Sequence, residues 1–144
     1  MRNQMKTFLL VLLSILTLGC LTEDKAIYRG LPIVDGYPCG EIDFEAGAGH
    51  HRMIIQNIIL DYDYMLDGSR VIFDGFIEYQ GQSGIVPDMY MMVHFLDSDK
   101  KIIISENFPL MGQFGYKKNK FTAEFLFRQE YRYVTFSPVL PRVV

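Results

Sequence analysis

The chain has 144 residues, of which 49% are apolar, 14% aromatic and 22% charged, with a net charge of −3. Such a composition excludes a disordered or low-complexity chain, and the length suits one domain, because two would each sit near the lower limit for a stable core. The slightly acidic balance offers no footing for nucleic acid, whose protein partners are usually basic.

The first twenty residues carry the strongest signal. Arg2 and Lys6 form a short basic region, and Phe8 to Leu18 is an unbroken apolar or small run. Eleven residues of helix span about 16 Å, half of a bilayer core, so the run predicts the apolar part of a signal peptide (residues 1–19) and not a membrane-spanning helix. It ends in Leu16-Thr17-Leu18-Gly19-Cys20, which resembles the lipobox of bacterial lipoproteins. That resemblance implies that the Cys20 thiol carries one diacylated group with palmitate-like chains, with cleavage before Cys20 and a stable anchor, since two or three acyl chains hold where one is marginal. In that family an Asp directly after the Cys favours the inner membrane. Leu21 and Thr22 stand there, so the resemblance implies a cell-envelope protein at the outer membrane, facing the periplasm. Without lipidation, Cys20 and Cys39 could instead pair as a disulfide; with it, Cys39 is a lone thiol.

Residues 20–52 lack periodicity and are punctuated by Gly30, Pro32, Gly36, Pro38 and Gly40, closing on Ala46-Gly47-Ala48-Gly49-His50-His51. They read as tether and loop, with one short strand around Ile27 to Val34. From residue 53 to 144 the pattern predicts a single β-sandwich domain. Met53 to Tyr64 is a β-branched run that becomes alternating, and Asp67-Gly68 supplies a hairpin turn. Val71, Phe73, Gly75, Ile77 and Tyr79 alternate with polar residues, and Gln80 to Asp88 is a loop. Met89 to Leu96 is apolar on both faces, as a strand in the middle of a covered sheet would be. Its inward set is expected to be Met89, Met91, Val93 and Phe95, leaving Tyr90 and His94 toward water. Asp97 to Lys100 turns the chain into Ile102-Ile103-Ile104, Phe121 to Arg128 alternates again, and Tyr131 to Phe136 is a last strand. Six short strands with two-residue periodicity indicate an all-β, antiparallel sandwich.

The stretch Val93-His94-Phe95-Leu96-Asp97-Ser98-Asp99-Lys100-Lys101-Ile102, followed by Lys120-Phe121-Thr122-Ala123-Glu124-Phe125, resembles the FxLYD-type domains, small β-sandwiches of bacterial extracytoplasmic proteins. The family's usual Tyr before the Asp is Leu96 here, and its turn Gly is Lys100. The likeness implies a fold and a location but no chemistry.

Candidate chemistry is sparse. His50-His51 with Glu45 or Asp61 invites a metal, but adjacent side chains of an extended segment point opposite ways, and only His94 could be added. Asp61, Asp63 and Asp67-Gly68 fail calcium-loop spacing, because Met65 and Leu66 occupy the fifth and sixth places. Ser98-x-x-Lys101 falls in a turn, and Gly81-Gln82-Ser83-Gly84 misses nucleophile-elbow spacing. No metal, cofactor or enzymatic activity is expected. Residues 20–99 carry a net −10 and residues 100–144 a net +5, which suits complementary strands, or else a basic patch at Lys117, Lys118 and Lys120 for anionic lipid or a partner. The aromatic set Tyr62, Tyr64, Phe73, Phe76, Tyr79 and Tyr90 suits a core or a binding face. The expected role is a lipid-anchored envelope protein that binds a protein partner, with a small-ligand-binding periplasmic lipoprotein, its pocket between the sheets, as the alternative.

Overall fold

The computed structural model describes residues 28–81, 90–108 and 118–139. The expected signal peptide (residues 1–19), Cys20, all but the first two residues of the expected Gln80–Asp88 loop, and Lys117 lie outside these residues.

Side-chain alternation builds eight strands: β1 (Gly40–Glu41), β2 (Ala48–Ile55), β3 (Ile58–Asp67), β4 (Arg70–Tyr79), β5 (Tyr90–Leu96), β6 (Ile102–Phe108), β7 (Lys118–Leu126) and β8 (Tyr133–Val139). They form two antiparallel four-stranded sheets, ordered β2-β3-β4-β7 and β1-β8-β5-β6, packed face to face as a sandwich. In the first sheet, β2, β3 and β4 are joined by two-residue turns. Gly68, at φ 61°, stands at the first central position between Asp67 and Arg70, as a type II′ turn requires. Gln56 takes the same position between Ile55 and Ile58 at φ 54°. That turn divides the Met53–Tyr64 run, expected as one strand, into the end of β2 and most of β3.

Rings from both sheets fill the space between them. Phe73 of β4 packs on Phe95 of β5 and Phe136 of β8, at ring-centre distances of 6.3 and 6.0 Å, and Tyr62 of β3 meets Phe136 at 5.5 Å. Phe95 stacks on Tyr131 at 4.6 Å with planes 13° apart. Offset and edge-on rings add about 0.5–1.5 kcal/mol per pair to what burial contributes.

The tether expected over residues 20–52 is corrected from residue 40 onward. Gly40–Glu41 pairs with β8, Ile42 is buried in the core, and β2 begins at Ala48. The glycines there read as loop, yet Gly49 lies under the ring of Tyr64, where a Cβ would collide. The strand expected around Ile27 to Val34 is a single bridge, Pro32 to Lys101, along the edge of β6. Hydrogen bonds from Gly30 N to the Ile102 carbonyl and from Ile102 N to the Leu31 carbonyl fix it there.

β5 lies between β6 and β8, the central position its composition predicts. Met91, Val93 and Phe95 face inward and are buried; Met89 lies outside the described residues. His94, expected to face water, is instead buried. Tyr28 packs edge-on over its ring, and the hydroxyls of Ser105 and Ser137 each lie 2.7 Å from a ring nitrogen. Tyr28 thus covers part of the sheet's outer face, and polar partners on β6 and β8 make the burial tolerable.

Candidate functional site

The chain forms an open groove of about 730 Å³ at one end of the sandwich, where β1 runs beside the start of β2. Its wall includes Glu41, Asp43, Glu45, His50, Tyr64 and Arg132. Strand alternation sends His51 and Gly49 inward from β2, together with Tyr62 and Tyr64 of β3. His51 Nε2 lies 2.8 Å from the Glu41 carbonyl, which can only accept, so this nitrogen donates. Nδ1 then accepts from the Tyr62 hydroxyl at 3.0 Å. Burial holds the His51 pKa below its ordinary 6.5, against the raising effect of the Glu41 hydrogen bond. Burial also pushes the Tyr62 hydroxyl well above 10. The imidazole is therefore a neutral, fully bonded strut that ties β1 to the other sheet.

Tyr64 serves the same joint. Its hydroxyl accepts from Asp43 N at 2.9 Å, and its ring lies 4.8 Å from that of His51. Asp43 Oδ1 accepts from the amides of Glu45 and Ala46, closing the turn before β2. On the opposite wall the Arg132 guanidinium stands 4.5 Å above the Phe44 ring.

Of the residues singled out for metal, His50 and Asp61 meet, while the three histidines are placed apart. His50 points outward from β2, away from His51, with its two ring nitrogens 3.0 and 2.8 Å from Asp61 and Asp63. His94 lies in the other sheet with both nitrogens engaged. His51 and His94 have both ring nitrogens engaged, and among the described residues no three ligands converge. Asp97 Oδ1 accepts from the amides of Asp99 and Lys101, and Asp67 pairs with Arg70, so these carboxylates shape turns. Ser98 and Lys101 flank that turn on the surface. Cys39 is a half-buried free thiol.

The uneven charge resolves into cross-strand pairs on the outer face of the β2-β3-β4-β7 sheet. Arg52 meets Asp61, Lys120 meets Asp74, and Arg70 bridges Asp67 and Glu124. Lys118 lies over the Phe76 ring. The aromatic set divides likewise: Tyr62, Tyr64 and Phe73 are core, whereas Phe76 is exposed.

The sheet edges are the remaining feature. β1 has only two residues, and residues 30–33 shield the start of β6. β2 and β7, the two edges of the other sheet, have eight and nine residues, and among the described residues no strand pairs with their outer sides. Sequence reasoning missed the groove and β2 because glycines mask the alternation of residues 48–52; the edges follow only from strand order.

Comparison with known proteins finds no match to this chain among protein-family models, curated proteins or solved structures. The FxLYD-type likeness thus rests on its own residues, which fall at the β5–β6 turn and in β7.

Proposed function

We propose that this chain is a lipid-anchored protein of a bacterial cell envelope, acylated at Cys20 and held at the outer membrane facing the periplasm, whose sandwich binds another protein. The observation that carries the binding role is the pair of long edges β2 and β7 on one sheet, which no strand among the described residues covers. Unpaired strand amides and carbonyls are a template for a further strand, with side-chain pockets supplying selectivity. β2 has the groove beside it, where Glu41, Asp43, Glu45 and Arg132 can read a neighbouring polar chain. The space between the sheets is occupied by Tyr62, Phe73, Phe95, Phe125 and Phe136, which favours a surface interaction over a ligand held between them. No catalytic role is assigned.

Photo-crosslinking tests this reading in intact cells. A reactive side chain replacing Ile54, on the β2 edge, should capture a protein, whereas one replacing Glu130, in a surface turn, should not. Equal capture from both positions, or capture from neither, would contradict it.

A further inference from the structure

The register of the first sheet fixes which residues of β7 face its open side. Phe127 N donates to the Ser69 carbonyl, and Ser69 is opposite Phe127 when the β4–β7 register is extended by one residue. Antiparallel strands alternate between bonded and non-bonded pairs, so the odd residues of β7 bond β4. Lys118, Lys120, Thr122, Glu124 and Leu126 therefore aim their amides and carbonyls outward. Their side chains lie on the outer face of the sheet, and the inward set is Phe121, Ala123 and Phe125.

The geometry points to a second copy of this chain as the occupant of the β7 edge, paired antiparallel about a two-fold axis through Thr122. In that register Thr122 faces Thr122, each Lys120 faces Glu124 of the other copy, and each Lys118 faces Leu126. All five outward residues pair, giving about ten backbone hydrogen bonds. Opposite charges meet twice, and the Lys118 stem can cover Leu126, whose side chain is 71% exposed. On the inward face, Phe121 is set opposite the small Ala123. Other registers do worse. Centring on Lys120 or Glu124 places a like charge opposite itself, and centring on Phe121 leaves Leu126 beyond the end of the partner strand. A shift that sets even residues opposite odd ones leaves the backbone unbonded.

The β2 edge lacks this complementarity. By the same reasoning from the bond between Leu66 N and the Gly47 carbonyl, its outward residues are Ala48, His50, Arg52 and Ile54. A two-fold through Arg52 or His50 sets that residue against itself, and one through His51, the middle, sets Arg52 opposite His50 and Ala48 opposite Ile54, so in no register do opposite charges meet. A β2-to-β7 contact would be head-to-tail, giving a ring or an open filament in place of a two-fold dimer. Pairing through β7 joins two sheets into one of eight strands and leaves both β2 edges free. The inference rests on the proposed anchor in one respect: confinement to a membrane raises the local concentration at which a contact this narrow is populated.

The test uses the full chain in its own membranes, with Cys39→Ser and Thr122→Cys. Opposed Cα atoms in a bonded pair lie about 5.5 Å apart, within disulfide reach, so mild oxidation should give a covalent dimer. Adding Lys120→Glu to this background, or Glu124→Lys to it, should each lower the cross-linked fraction by about tenfold or more, since both now oppose like charges. Co-expression of the two charge variants should restore a mixed dimer. One copy then presents carboxylates at both positions 120 and 124, the other presents ammonium groups at both, and each facing pair is again of opposite charge. Recovery in the mixture also shows that both variants fold. No cross-link from Thr122→Cys, or a fraction indifferent to all three charge arrangements, would overturn the β7 dimer. Palmitate labelling of the same samples reads the anchor separately, so loss of label with the dimer intact counts against the anchor and for the edge.

Discussion

His94 and Phe95, neighbours on β5, point to opposite faces of their sheet, and each is buried for a different reason. Phe95 is wholly buried among Phe73, Phe125 and Tyr131. Truncating such a ring removes about 3–5 kcal/mol, so Phe95→Ala should unfold the domain or lower its midpoint sharply in thermal denaturation. His94 sits under Tyr28 between two serine hydroxyls. The sequence suggests that His94→Ala costs under about 1 kcal/mol; the structure raises this to about 2–3 kcal/mol, because Ser105, itself buried, loses its partner. Chemical denaturation of both variants checks the order: Phe95→Ala worse than His94→Ala, and both well beyond a surface substitution. Burial also lowers the His94 pKa below its ordinary 6.5, as it does for His51. Below about pH 6.5 the unfolded chain therefore binds protons that the folded chain refuses, so acid favours unfolding. Melting temperature should be level above about pH 7 and fall as pH drops from about 6.5 toward the folded values. His94→Gln should show a shallower fall, and a slope unchanged by it would contradict the neutral, buried assignment.

At the scale of strands, alternation carries most of the information and turns carry the errors. β4 and β7 are legible because apolar residues fall at every second position, and β5 because an unalternating run needs cover on both faces. The Gly68 turn is legible because glycine reaches positive φ freely, and the Gln56 turn is hidden because glutamine rarely does. The Asp97–Lys100 turn is legible although Lys100 sits at φ 58°, because the Asp-rich segment signals it and Asp97 holds the loop through two amides. β2 is obscured by Gly47 and Gly49, although Gly49 is required by packing. Tyr64 lies against it and is pinned by Asp43 N, so the ring cannot yield to a Cβ. Gly49→Ala should cost about 1–3 kcal/mol in urea unfolding, more than an alanine at an exposed loop glycine of ordinary φ. A neutral outcome would show that the joint between β1 and β2 is loose.

For the whole molecule, the all-β sandwich and the filled interior were legible from the strand pattern, while the end groove was not, because it joins Glu41, His51, Tyr64 and Arg132 across long separations in the chain. Strand order is equally silent in the sequence, and it alone sets which edges stay open. The proposed function joins this sandwich to acylation of Cys20, a proposal that rests on the Leu-Gly-Cys end of the apolar run. Two or three acyl chains make the difference between a soluble domain and a stably anchored one. The decisive measurement is palmitate labelling with membrane fractionation of the full chain against Cys20→Ser. Acyl label and membrane recovery in the parent, both lost in the variant while its thermal transition persists, is the predicted result; label and partition unchanged by the substitution would contradict the account.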